Sequence, residues 1–144
     1  MRTLTKQRLV VAAMALGIAG AALANEDANS CRPEVLDGLY AFSATGYNIV
    51  GGVAQPKAIT EFILFNGDGT ISGPGATVSI NGTIVRSPAG GTGTYTLSGD
   101  CIGSLTFGSG QSFDMFVSPK GEDLWMIQTN PNSVLQGNAT RVAR

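Results

Sequence analysis

From residue 37 onward, apolar and polar side chains alternate with period two in short runs, and glycine or asparagine interrupts the chain between them. In 112–118, Phe113, Met115 and Val117 share one face, while Ser112, Asp114, Phe116 and Ser118 share the other. Tyr95 and Leu97 alternate with Thr94, Thr96 and Ser98, and Leu105 and Phe107 alternate with Ser104 and Thr106. This is the pattern of antiparallel strands with one face buried. The runs predict strands over 39–47, 58–66, 70–72, 77–80, 83–87, 93–98, 102–107, 112–118, 124–129 and 134–142. Helical character is confined to a single turn at 33–36, where Pro33 suits a first helical position.

Turn chemistry sets the connectivity. Asn66-Gly67-Asp68-Gly69 and Asn81-Gly82 supply the positive-φ residues that tight hairpins require. Ser98-Gly99-Asp100, Gly108-Ser109-Gly110 and Pro119-Lys120-Gly121-Glu122 read as three further hairpin turns. Consecutive strands joined this tightly lie antiparallel and adjacent, so the chain forms a meander. A meander leaves two edges that invite unwanted pairing, and closure removes both. The expected fold is therefore all-β, an antiparallel meander closed into a small barrel of about eight strands.

Two runs break the alternation. Residues 59–65 and 124–127 are apolar on both faces, so something is expected to cover them outside the barrel. Two covers are open: the segment 48–57, read as a loop, or a second copy of the chain in a homo-oligomer.

The amino-terminal residues 1–24 read as a secretory signal peptide. Arg2, Lys6 and Arg8 precede an apolar run from Leu9 to Ala22, and Ala22-Leu23-Ala24 offers small residues for cleavage. The run falls short of the ~20 residues that span a bilayer, and no stable membrane anchor is expected. The remaining domain, 25–144, keeps six basic against ten acidic residues, a net charge of −4, and is expected to be secreted or periplasmic. Cys31 and Cys101, the chain's two cysteines, then pair most simply as one disulfide in an oxidising compartment. A reactive thiol would need nearby positive charge, whereas Cys101 follows Asp100.

Composition narrows the chemistry. The chain has no histidine and only 13% charged residues. That removes Ser-His-Asp and Cys-His arrangements and the commonest zinc ligand, and the acidic balance argues against nucleic acid. Asn66–Gly69 holds a single Asp and no following ligand series, so it is a turn and not a calcium loop. No metal and no cofactor is expected. The strand-borne ionisable residues are Glu61, Arg86, Asp114 and Arg141. Any of them that projects into a barrel interior would have its ionisation perturbed by burial.

Asp37-Gly38-Leu39-Tyr40, followed by Phe42, resembles the Gly-x-aromatic opening of the calycin group, the lipocalins and avidins. Lipocalins carry Trp where this chain has Tyr40. Gly93-Thr94-Tyr95-Thr96 resembles an avidin strand, yet Trp125 is alone and the avidin set of binding tryptophans is missing, so biotin binding is not implied. The run 93–105 is similar to that of small exported bacterial proteins without an assigned activity. The resemblance implies a calycin-like barrel around an interior able to hold a ligand.

The leading expectation is a module that binds a small apolar or amphipathic ligand. Its lining would come from Tyr40, Phe42, Tyr95, Phe113, Met115 and Trp125, with Glu61 or Arg86 as polar anchor. One alternative is a structural or interaction protein that forms homo-oligomers. Another is a cofactor-free isomerase or cyclase using the same interior, favoured if an open cavity holds a buried Glu61; catalytic residues are left unassigned.

Overall fold

The computed structural model describes residues 31–144, so the secretory-signal reading of 1–24 lies outside the described residues. A 3-10 turn, Pro33–Val35, opens the fold. Nine strands follow: β1 Asp37–Val50, β2 Val53–Asn66, β3 Thr70–Ile80, β4 Thr83–Ser87, β5 Gly91–Leu97, β6 Ile102–Phe107, β7 Ser112–Val117, β8 Asp123–Gln128 and β9 Ser133–Ala143. All pairings are antiparallel, in the order β2-β1-β9-β8-β7-β6-β5-β3, and β2 also pairs with β3. That last pairing closes an eight-stranded barrel. β4 is the ninth strand, paired with the second half of β3 alone.

The alternation read from the sequence is the barrel's inside and outside. Tyr40 and Phe42 of β1, Ile63 and Phe65 of β2, Leu105 of β6, Met115 of β7, Leu124 and Met126 of β8 and Leu135 of β9 form one buried core. Their outward neighbours are polar or partly exposed. Aromatic rings meet edge to face inside, Tyr40 with Phe65 and Phe65 with Tyr95, at centroid separations of 5.0 and 5.1 Å.

Two expectations need correction. Segment 48–57 is no covering loop; it lengthens β1 and β2 into a hairpin in register from Asp37–Asn66 to Val50–Val53. Gly51 and Gly52, both at positive φ, make the two-residue turn, and Val50 and Val53 stand exposed on the projecting tip. The runs 70–72 and 77–80 are one strand, not two. Gly73-Pro74-Gly75 reads as a breaker because Pro74 has no N–H to donate, but here it forms an irregularity opposite β2, with Gly75 at φ 146°. The kink divides β3: Thr70–Gly73 pairs with β5, and Ala76–Ile80 turns away to pair with β4.

One end of the barrel is plugged. Pro33–Val35 crosses it, Tyr95 Oη donates to the carbonyl of Pro33 at 2.8 Å, and Cys31 lies at disulfide distance from Cys101 with Cα atoms 5.0 Å apart. The cysteine pair fits a non-reducing environment. The opposite end, where β1, β2, β3 and β4 overhang the shorter strands, stays open.

Candidate functional site

The open end holds a cavity of about 350 Å³. Its depth follows from strand length. β2 and β3 continue past the ends of β6, β7 and β8, and alternation points Lys57, Ile59 and Glu61 of β2 and Ala76, Val78 and Ile80 of β3 inward. Val85 and Ser87 of β4 extend the same wall, since they pair with Val78 and Ala76. Phe107, Phe113 and Leu135 face them from the far side. Phe42 lies beneath, 1% exposed, its ring 6.0 Å from that of Phe113. Where the β3 kink lines the cavity it does so with Gly73 and Gly75, which bring no side chain into it.

Polar groups enter this apolar space sparingly. Gln128, 8% exposed, is engaged at both ends of its amide: its Nε2 donates to Asn130 Oδ1 at 3.0 Å, and its Oε1 accepts from Ser133 Oγ at 2.7 Å and from Lys57 Nζ at 3.4 Å. Burial lowers the Lys57 pKa. Glu61 sits four residues deeper on the same strand, between Phe42 on β1 and Ala76 on β3. Neither neighbour offers a hydrogen bond from its side chain. Burial alone pushes the Glu61 carboxyl up to about 7, with no contribution from a donor or a cation. The group is thus poised to change charge near neutral pH.

The eight residues nominated for the lining divide into three sets. Glu61 and Phe113 line the cavity, with Phe42 below them. Tyr40, Tyr95 and Met115 belong to the packed interior: Met115 is fully buried, and the two tyrosine hydroxyls are tied to backbone carbonyls at the plugged end. Arg86 and Trp125 are outside. Arg86 pairs with Thr77 on the outer side of the β3–β4 hairpin beside Phe62, and Trp125 is 55% exposed on the barrel wall.

Several lining residues went unnamed from sequence: Lys57, Val78, Val85, Phe107, Gln128 and Leu135. For Lys57 and Phe107 the signal was present. Lys57 is four residues before Glu61, and Phe107 two after Leu105, so period two puts each on the inward face.

Comparison with protein-family models, with curated proteins and with solved structures found no match for this chain. Among the described residues no cluster of His, Cys, Asp or Glu is arranged to hold a metal ion, and no helix is long and apolar enough to cross a membrane. What the arrangement can do chemically rests on a concave apolar pocket with one titrating carboxylate.

Proposed function

We propose that the protein is an exported, calycin-like barrel that binds a small apolar or amphipathic molecule in its open end. The observation that carries this reading is the cavity itself, about 350 Å³ with an aromatic and aliphatic wall and a few convergent polar groups. That volume lies within the ~300–1,000 Å³ usual for small-molecule sites. Export, to the periplasm or the medium, is supported by the basic-then-apolar amino terminus and by the Cys31–Cys101 pair. Native mass spectrometry of protein purified from its own source tests the binding reading. A small molecule retained by the wild type and lost from an Ala76→Phe variant, which fills the pocket, supports it; bare polypeptide across repeated preparations, with no uptake of added apolar compounds, overturns it.

A second reading is favoured by Glu61. A carboxylate titrating near 7 in a pocket that limits water has the ionisation a general base needs, and a cofactor-free isomerisation would require little more. Turnover of a bound compound that disappears in Glu61→Gln would separate catalysis from carriage.

A further inference from the structure

The carboxylate of Glu61 is the feature of the cavity that bare hydrophobic binding does not explain. On its own strand its inward neighbours are Ile59 and Ile63, and across the two flanking strands it faces Phe42 and Ala76. The wall opposite contributes Phe107, Phe113 and the uncharged Ser109 and Gln111, and β4 contributes Val85 and Ser87. Among the described residues the one basic side chain lining the cavity is Lys57, four residues nearer the mouth, its Cα roughly 13 Å along the strand at the usual rise, and its ammonium turned to Gln128. Arg86, the nearest in β4, pairs with Thr77 in the register that faces away from the lining positions Val85 and Ser87. No described residue supplies a counter-ion.

An isolated carboxylate among apolar side chains is costly when ionised, and the cost falls if a cation meets it. Among the described residues no side chain fills the space in front of Glu61, so that cation would come with the ligand. A carboxylic acid ligand would bring like charge against Glu61, and the Lys57 ammonium that could answer it is turned to Gln128.

We infer that the ligand is an apolar amine, seated with its protonated nitrogen on the Glu61 carboxylate and its hydrocarbon against Ile59, Val78, Val85, Phe107 and Phe113. This deepens the binding reading and rests on it. Binding then carries a proton signature: the ammonium favours ionised Glu61, so complex formation below neutral pH expels the Glu61 proton, and affinity rises with pH until the carboxylate is ionised in the free protein.

Three probes of equal chain length test the inference by calorimetry at pH 8: octylamine, octanol and octanoate. Octylamine is expected to bind roughly tenfold or more tightly than octanol, as a charge-assisted hydrogen bond allows, with octanoate weakest. Glu61→Gln is expected to abolish the amine preference, so that octylamine binds no more tightly than octanol to the same variant. In carbon NMR at pH 6, saturating octylamine is expected to move the Glu61 carboxyl resonance to its ionised position. Equal binding of the three probes, or an amine preference that survives Glu61→Gln, overturns the amine assignment alone, provided Ala76→Phe still blocks octanol. Failure of all three to bind, or binding indifferent to Ala76→Phe, overturns the cavity reading beneath it.

Discussion

Tyr40 and Arg141 fasten the first strand of the barrel to the last. Arg141 Nε donates to Tyr40 Oη at 3.0 Å, Nη2 does so at 2.8 Å, and the guanidinium carbon lies 5.3 Å from the Tyr40 ring centroid. The same hydroxyl donates to the Gly121 carbonyl between β7 and β8, and Arg141 donates to the Val35 carbonyl of the plug. One fully buried phenol therefore links β1, β9, the β7–β8 turn and, through the arginine, the 3-10 turn. Burial raises the Tyr40 pKa while Arg141 acts against that rise, so the hydroxyl stays a donor at neutral pH.

Tyr40→Phe keeps the ring and removes these bonds, leaving the Gly121 carbonyl and part of the guanidinium unpaired. The expected loss is about 1–3 kcal/mol of unfolding free energy, read from urea melts, with the slope unchanged. A variant as stable as the wild type would mean that water replaces the hydroxyl at no cost.

The Cys31–Cys101 pair, separated by 70 residues, clamps the plug to the β5–β6 turn. Chain entropy gives such a closure on the order of 4 kcal/mol, so the double Cys→Ser variant, or the reduced protein, is expected to lose much of its stability. Because the plug lies at the opposite end from the cavity, octanol affinity of whatever fraction stays folded is expected to be unchanged. A ligand titration run with and without reductant checks both halves of that statement.

How far the fold was legible depended on which signal each residue carried. Alternation in 112–118 and 93–98 foretold the inward set Phe113, Met115, Val117, Tyr95 and Leu97, since burial of one face imposes period two on the side chains. The pocket was harder. It exists because β2 and β3 outlast their neighbours and because β3 bends at Gly73-Pro74-Gly75, and in sequence both features look like breaks. Trp125 was misplaced for a related reason. In 124–127 every residue is apolar, so period two alone could not tell Leu124 and Met126, which are buried, from Trp125 and Ile127, which are not.

At Gly137, β9 lies tight against β1. A Cβ there would lie 2.1 Å from the Ser43 carbonyl oxygen and 2.5 Å from Ala44 Cβ. Both obstacles belong to a paired strand that cannot move without breaking its ladder. Gly137→Ala is expected to cost about 1–3 kcal/mol, as overpacking does, whereas Gly99→Ala, with nothing within 4 Å, is expected to be close to neutral. Thermal or urea melts of the two variants side by side provide the comparison.

Glu61 makes stability depend on pH in a defined direction. Its folded pKa of about 7 exceeds the ordinary carboxyl value of ~4.3, so between the two the folded protein keeps a proton that the unfolded chain has released. The unfolded state then binds fewer protons, and stability falls as pH rises through this window, with the loss complete above the folded pKa. The full effect is on the order of 3–4 kcal/mol. Glu61→Gln is expected to match the wild type near pH 4 and to exceed its stability at pH 8. Parallel pH profiles for the two proteins would show that Glu61 is solvated in the folded state.

Trp125, the sole tryptophan, gives a reading of the outer wall that is independent of the cavity. It stands in register with Phe116 of β7, which faces Ile102 of β6, and all three are 44–55% exposed. Its indole is on the far side of the strand from Leu124 and Met126, so a ligand in the open end cannot touch it. In dilute solution its fluorescence is expected to be that of a water-exposed indole, fully accessible to acrylamide, and unchanged when octanol or octylamine saturates the pocket. The same emission followed against protein concentration decides the interaction reading. If copies associate through this apolar ladder, the spectrum shifts to the blue and quenching falls as concentration rises, in step with a larger mass by light scattering; if they do not, Trp125 stays wet at every concentration and the ladder is simply apolar surface on a monomer.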